Sequence, residues 1–201
     1  MFILINLFIL NIITLSSQCN INNKTLNNIL NKDNTINLPK STFRVVNNCD
    51  KQRNFYYRNA INEEKLFILD QFKWKDFNYI DKFSKHNRIM FRYEKSIDAT
   101  LFEANYDTFP IGDSQDGIFY DISVIPPDCG TNNWNKCKGN KVGYNVPLSV
   151  DIISDLKNKG GSCLNLICDR PQCDMGMKWP SDNSNVYACP GSVSFIIKFG
   201  C

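Results

Sequence analysis

The sequence predicts an all-β domain, a sandwich or barrel of short strands stapled by disulfides. Three observations predict it. Short apolar runs alternate with period two, the links between them are polar and turn-rich with no long stretch at helical spacing, and nine cysteines occur in 201 residues. That cysteine content is unusual for a reducing compartment, whereas an oxidising one converts thiols into cross-links.

The first element is an export signal. Residues 2–15, from Phe2 to Leu15, carry no charge, and the run is shorter than the about 20 residues a membrane-spanning helix needs. It reads as the core of a signal peptide over residues 1–19, with small residues at Ser16-Ser17-Gln18-Cys19 for the peptidase. Cleavage after Ser16 or after Cys19 fits, and the latter leaves an even set of eight cysteines. The alternative is an N-terminal membrane anchor. No later segment is apolar enough to span, so a secreted protein is expected, free or held at a cell wall.

Residues 20–40 are rich in Asn and lack aromatic side chains, as a spacer or pro-segment would. A short helix over Thr25 to Asn31 is compatible with them. They contain the sequon Asn23-Lys24-Thr25, which is either a glycosylation site in an exported chain or a product of the Asn richness. Residues 41–201 remain, the length of one domain with a sizeable core, expected to act as a monomer.

Within this domain, residues 42–48, 65–69, 88–92, 118–125 and 193–199 read as strands. In the fourth, Ile118, Tyr120, Ile122 and Val124 share one face, and Phe119, Asp121, Ser123 and Ile125 the other. Val150, Ile153 and Leu156 recur at helical spacing, so Ser149 to Asn158 reads as a short helix. Gly160-Gly161-Ser162 reads as a turn.

Five stretches, in order, resemble the thaumatin-like family: Thr42-Phe-Arg-Val-Val-Asn-Asn-Cys49, Arg88-Ile-Met-Phe-Arg92, Thr100-Leu-Phe-Glu103, Phe119-Tyr-Asp-Ile-Ser-Val124 with Gly143-Tyr-Asn-Val-Pro147, and Cys189-Pro-Gly191 with Cys201. The resemblance implies a thaumatin-like β-sandwich with a disulfide-rich loop region over residues 42 to 201, and leaves residues 50–87 unplaced. It also implies pairing of Cys49 with Cys201, Cys163 with Cys189, Cys168 with Cys173 and Cys129 with Cys137. The first of these closes nearly the whole domain, worth about 4 to 5 kcal/mol in the chain-entropy model. A zinc site is disfavoured, because no Cys-x2-Cys pair exists and His86 stands alone. No metal or cofactor is expected.

The same resemblance implies an acidic cleft. Its Arg is Arg92, with Arg88 the alternative, and its carboxylates are Glu103, Asp121 and Asp182. Pro126 stands where another Asp is implied, ahead of an insertion containing Asp128 and the Cys129 to Cys137 loop. Paired carboxyls can bind sugar hydroxyls, or hydrolyse a glycosidic bond with one as acid and the other as base or nucleophile. Trp134 in the inserted loop is a candidate stacking platform for a sugar; Trp74, Phe77 and Tyr79 could stack or pack in the core.

Interspersed charges with a net of +3 provide no basic stripe for nucleic acid. His86 has no nucleophile context, and the Gly160 turn lacks the strand-to-helix setting of a phosphate loop. The expectation is a secreted protein binding β-glucan or a related wall polysaccharide through Arg92, Glu103, Asp121, Asp182 and Trp134. The alternatives are a weak endo-β-1,3-glucanase, with Glu103, Asp121 and Asp182 as its catalytic carboxyls, and a structural wall, coat or defence protein without a catalytic site.

Overall fold

The computed structural model describes residues 38–58, 63–82, 87–96, 98–126, 129–130, 132–137, 143–156, 160 and 162–201, all within one compact unit, Leu38–Cys201. The expected signal segment, Asn23, most of the lead-in, His86 and Asp128 lie outside them.

Alternation of large apolar and polar residues produces twelve strands among the described residues: β1 (Thr42–Asn47), β2 (Arg53–Arg58), β3 (Glu64–Leu69), β4 (Trp74–Asn78), β5 (Asn87–Tyr93), β6 (Leu101–Asp107), β7 (Gly117–Ser123), β8 (Leu148–Ile153), β9 (Leu166–Cys168), β10 (Gly176–Met177), β11 (Tyr187–Pro190) and β12 (Ser194–Phe199). Among the described residues, helix is limited to the single turns α1 (Tyr79–Lys82) and α2 (Trp134–Cys137) and a 3-10 turn, Asn183–Asn185. No helix among the described residues is long and apolar enough to cross a membrane. The strands form two sheets, ordered β4-β1-β12-β8-β9 and β10-β7-β6-β5-β2-β3, with β11 also on β7. The fold is an all-β sandwich.

Aromatic rings fill the space between the sheets. Phe43, Phe55, Phe77, Tyr79, Phe91, Phe102, Tyr120, Phe195 and Phe199 are buried. The Phe43 ring centroid lies 4.7 Å from Tyr79, 5.4 Å from Phe102 and Phe195 and 5.8 Å from Phe91, joining both sheets. Rings of this size bury large apolar areas and favour tilted contacts at these separations. Tyr79 pays its polar cost locally: its hydroxyl donates to the Val193 carbonyl at 2.6 Å.

The first and last strands pair in parallel at the middle of the five-stranded sheet, Phe43 against Phe195 and Asn47 against Phe199. Four disulfides join Cys49 to Cys201, Cys129 to Cys137, Cys163 to Cys189 and Cys168 to Cys173. The first spans 152 residues of sequence, and the Cys163–Cys189 bridge anchors β11, which pairs with β7.

Several local readings need correction. Within the segment expected as a helix, Ser149 to Asn158, the described residues 149–153 belong instead to β8, paired with β12 so that Leu148 and Val150 point inward. Period-two burial overrides the coincidental helical spacing of Val150, Ile153 and Leu156. Residues 50–87 supply β2, β3 and β4. Phe77 and Tyr79 from that stretch are core residues, while Trp74 is half exposed on the outer face of the five-stranded sheet, with the Arg44 guanidinium 5.1 Å from its ring centroid.

Candidate functional site

The outer face of the seven-stranded sheet carries the titratable residues. On β7, Phe119 and Asp121 alternate with the buried Ile118, Tyr120 and Ile122. On β6, Glu103 and Asn105 alternate with Phe102, Ala104 and Tyr106 in the same way. The antiparallel register sets Glu103 directly opposite Asp121, a position that brings Cβ atoms to within about 4.5 to 5.5 Å. Met90 on β5 lies opposite Glu103, Arg58 on β2 opposite Met90, and Glu64 on β3 opposite Arg58, so one row crosses five strands.

Over this floor stands the chain between β10 and β11. Both strands pair with the same edge of β7, β11 along residues 117–120 and β10 along 122–123. The connecting residues 178–186 therefore loop out above the face. The result is a cleft of about 400 Å³. Its floor includes Arg88, Glu103, Asn105, Phe119 and Asp121, and its wall Ile125, Met177, Pro180, Asn183 and Val186.

Burial and mutual repulsion set the chemistry of the acid pair. Asp121 is pushed up to about 8, first by burial and then by the negative charge of Glu103, against a smaller opposing effect of Arg88. Glu103 is also raised by burial, opposed by Arg88, by a hydrogen bond with Ser123 and by Arg58. Two carboxyls placed side by side away from water hold a proton between them more firmly than either would alone. Asp121 Oδ1 and Asn105 Oδ1 are buried with no protein hydrogen-bond partner. The floor thus offers unmet acceptors, a proton to donate, a guanidinium and the Phe119 ring.

The other expected site residues are dispersed. Arg92 is on the same sheet face, outside the residues lining the cleft. Its guanidinium donates to Glu64 at 2.5 Å and to the Ser96 carbonyl at 3.2 Å, and lies 5.7 Å from the Tyr56 ring centroid. Arg88 is the arginine in the cleft. Asp182 is buried, and its carboxylate accepts from the Ser184 hydroxyl at 2.7 Å, the Asn185 amide at 3.0 Å and the Lys178 backbone N–H at 3.2 Å. It orders the loop that supplies Pro180 and Asn183 to the wall. Trp134 begins α2, and its side chain is outside the described set. Pro126 is buried. Asn105 and Phe119 were missed by sequence reasoning, although both share the outward phase of Glu103 and Asp121. The wall residues had no such signal, since they come from loops and a two-residue strand.

Neither a protein-family model nor a curated protein sequence matches the chain. Among solved structures, it is similar to the crystal structure of the protein elicitor MoHrip2 from Magnaporthe oryzae, with a TM-score of 0.51 and 11% identity over 80% of this chain and 99% of that one. In fold, this chain is similar to a protein elicitor. The thaumatin-like assignment is therefore corrected. The motif residues that suggested it stitch the sandwich together. The Thr100 backbone N–H donates to Asn145 Oδ1 at 2.9 Å, the Asn145 amide to the Tyr93 carbonyl at 3.1 Å, and the Thr100 hydroxyl to the Val146 carbonyl at 2.8 Å. The Asn47 side chain likewise donates to the carbonyls of Lys51, Leu69 and Asp70. Gly143 lies where a Cβ would come within 2.4 Å of the Ile125 carbonyl. Close strand crossings of this kind call for such residues whatever the family.

Proposed function

We propose that this chain is an extracellular protein that binds a polysaccharide of the β-glucan or related cell-wall type in the cleft between β5, β6 and β7 and the β10–β11 loop. The observation that carries this reading is the unpartnered Asp121 Oδ1, buried beside Glu103 at the bottom of the cleft. A buried acceptor without a donor favours a ligand that brings hydroxyl groups. Sugar hydroxyls can donate to Asp121 and Asn105 and accept from Arg88, while the Phe119 ring offers an apolar surface to a pyranose face. Four disulfides suit an oxidising, extracellular setting. The likeness to a protein elicitor agrees with that setting.

The test is co-sedimentation of the purified protein with insoluble β-1,3-glucan and chitin. Retention that is lost in Arg88→Ala and in Asp121→Ala supports the cleft; no retention on any wall polysaccharide removes the proposal. A hydrolytic reading has one specific observation in its favour, the cross-strand pair in which Asp121 is held protonated near neutral pH. On that reading one carboxyl donates a proton to the leaving oxygen while the other acts as base or nucleophile. Release of reducing ends from laminarin, abolished by Glu103→Gln, would establish it.

A further inference from the structure

The outer face of the seven-stranded sheet continues past the cleft onto β5, β2 and β3, and there its charge reverses. Glu64 meets three cations: Arg92 Nη2 at 2.5 Å and Arg58 Nη2 at 3.7 Å from Oε1, and Lys95 Nζ at 3.9 Å from Oε2. One carboxylate against three cations leaves the cluster net positive, although Arg58 also acts at longer range on Glu103. No other carboxylate pairs with these cations among the described residues. Arg58 and Arg92 each also keep a buried Nε–H without an acceptor, and unmet donors of this kind favour an incoming anion. The patch has an apolar border. Leu66 and Ile68 point outward from β3 and are about half exposed, with Leu66 directly opposite Tyr56.

We infer that this half of the face is a subsite for an acidic glycan, taking the carboxylate of a uronic acid between Arg58 and Lys95 while the sugar ring rests on Leu66. The inference rests on the reading of this face as a polysaccharide-binding surface and specifies the class of polysaccharide. Arg58 is two strands from Glu103 in the same row, about 10 Å at the usual strand spacing, so a single oligosaccharide can span both regions. The acid pair narrows the class further. A polymer charged at every repeat would lay its anions over Glu103 and Asp121, where like charges repel. The ligand that fits has a neutral backbone with intermittent uronates.

The experiment is calorimetric titration of the full chain with a glucuronate-substituted xylan oligosaccharide and with the same oligosaccharide after its carboxyl groups are reduced to alcohols. The native glycan is expected to bind about tenfold more tightly at low salt, the gain of about two weakly screened charge contacts. The preference should shrink as salt is added. Arg58→Gln combined with Lys95→Gln should erase the difference between the two glycans. Lys95→Gln alone, at an exposed position, should lower it in part without any burden on folding. Equal binding of the two glycans, or a preference that survives the double substitution, overturns the anionic subsite while leaving the cleft standing. Failure of both glycans and of neutral β-glucan overturns the polysaccharide reading itself. Tighter binding of polygalacturonate or of DNA than of the substituted xylan would refute the requirement for intermittent charge.

Discussion

Replacing Asp121 by Asn should stabilise the protein, and by an amount that depends on pH in a calculable way. The ordinary carboxyl value of 3.8 becomes about 8 in the fold, through burial first and the charge of Glu103 second. A group whose acid form is favoured by folding binds its proton more tightly in the folded than in the unfolded chain. Its contribution is therefore most favourable below the unfolded value and declines as pH rises, until the folded group itself ionises. Between those limits one proton of difference costs about 1.36 kcal/mol per pH unit. From the ordinary value to neutral pH the loss accumulates to about 4 kcal/mol. This is a ceiling, because the proton is shared with Glu103. Asn keeps the shape and cannot ionise. The stability advantage of Asp121→Asn over the wild type should thus be small near pH 4, grow through neutral pH and level off above about 8. Urea denaturation of both proteins across this range measures it. Parallel stability curves, with a pH-independent difference, would refute the argument that burial and repulsion hold this carboxyl protonated.

Two further outcomes follow from the structure. Asp182→Ala removes the acceptor of three hydrogen bonds inside the wall of the cleft; it should cost about 2 to 3 kcal/mol and weaken glucan retention, with Asp182→Asn restoring part of both, as thermal melts and co-sedimentation can show. Joint replacement of Cys49 and Cys201 by Ser opens a loop of 152 residues and should lower stability by about 2 to 5 kcal/mol, while the β1–β12 pairing persists; a calorimetric melting temperature unchanged from wild type would contradict that contribution.

Alternation along β6 and β7 was legible in the sequence, since Phe102 and Ala104, like Ile118, Tyr120 and Ile122, leave Glu103 and Asp121 only the opposite face. That the two acids are direct neighbours was not. It depends on register, and a slip of one residue would turn either acid into the core. Arg92 and Asp182 show the limit of carrying site residues from a resemblance. Both are chemically suited to a cleft, yet the first is occupied by Glu64 and Ser96 and the second by its own loop.

The apolar alternation and the cysteine content by themselves determined that the chain is a disulfide-rich β domain, because two-residue periodicity is a local property that tertiary packing seldom reverses. Only the tertiary structure decided the rest. Pairing of β7 with β6 on one edge and with β10 and β11 on the other created the cleft, left Asp121 without a partner inside it and put the Arg58, Arg92 and Lys95 cluster on the same face. The pairing of β7 with β10 and β11, and of β5 with β2, joins residues far apart in the chain, and no local pattern encodes which strands become neighbours.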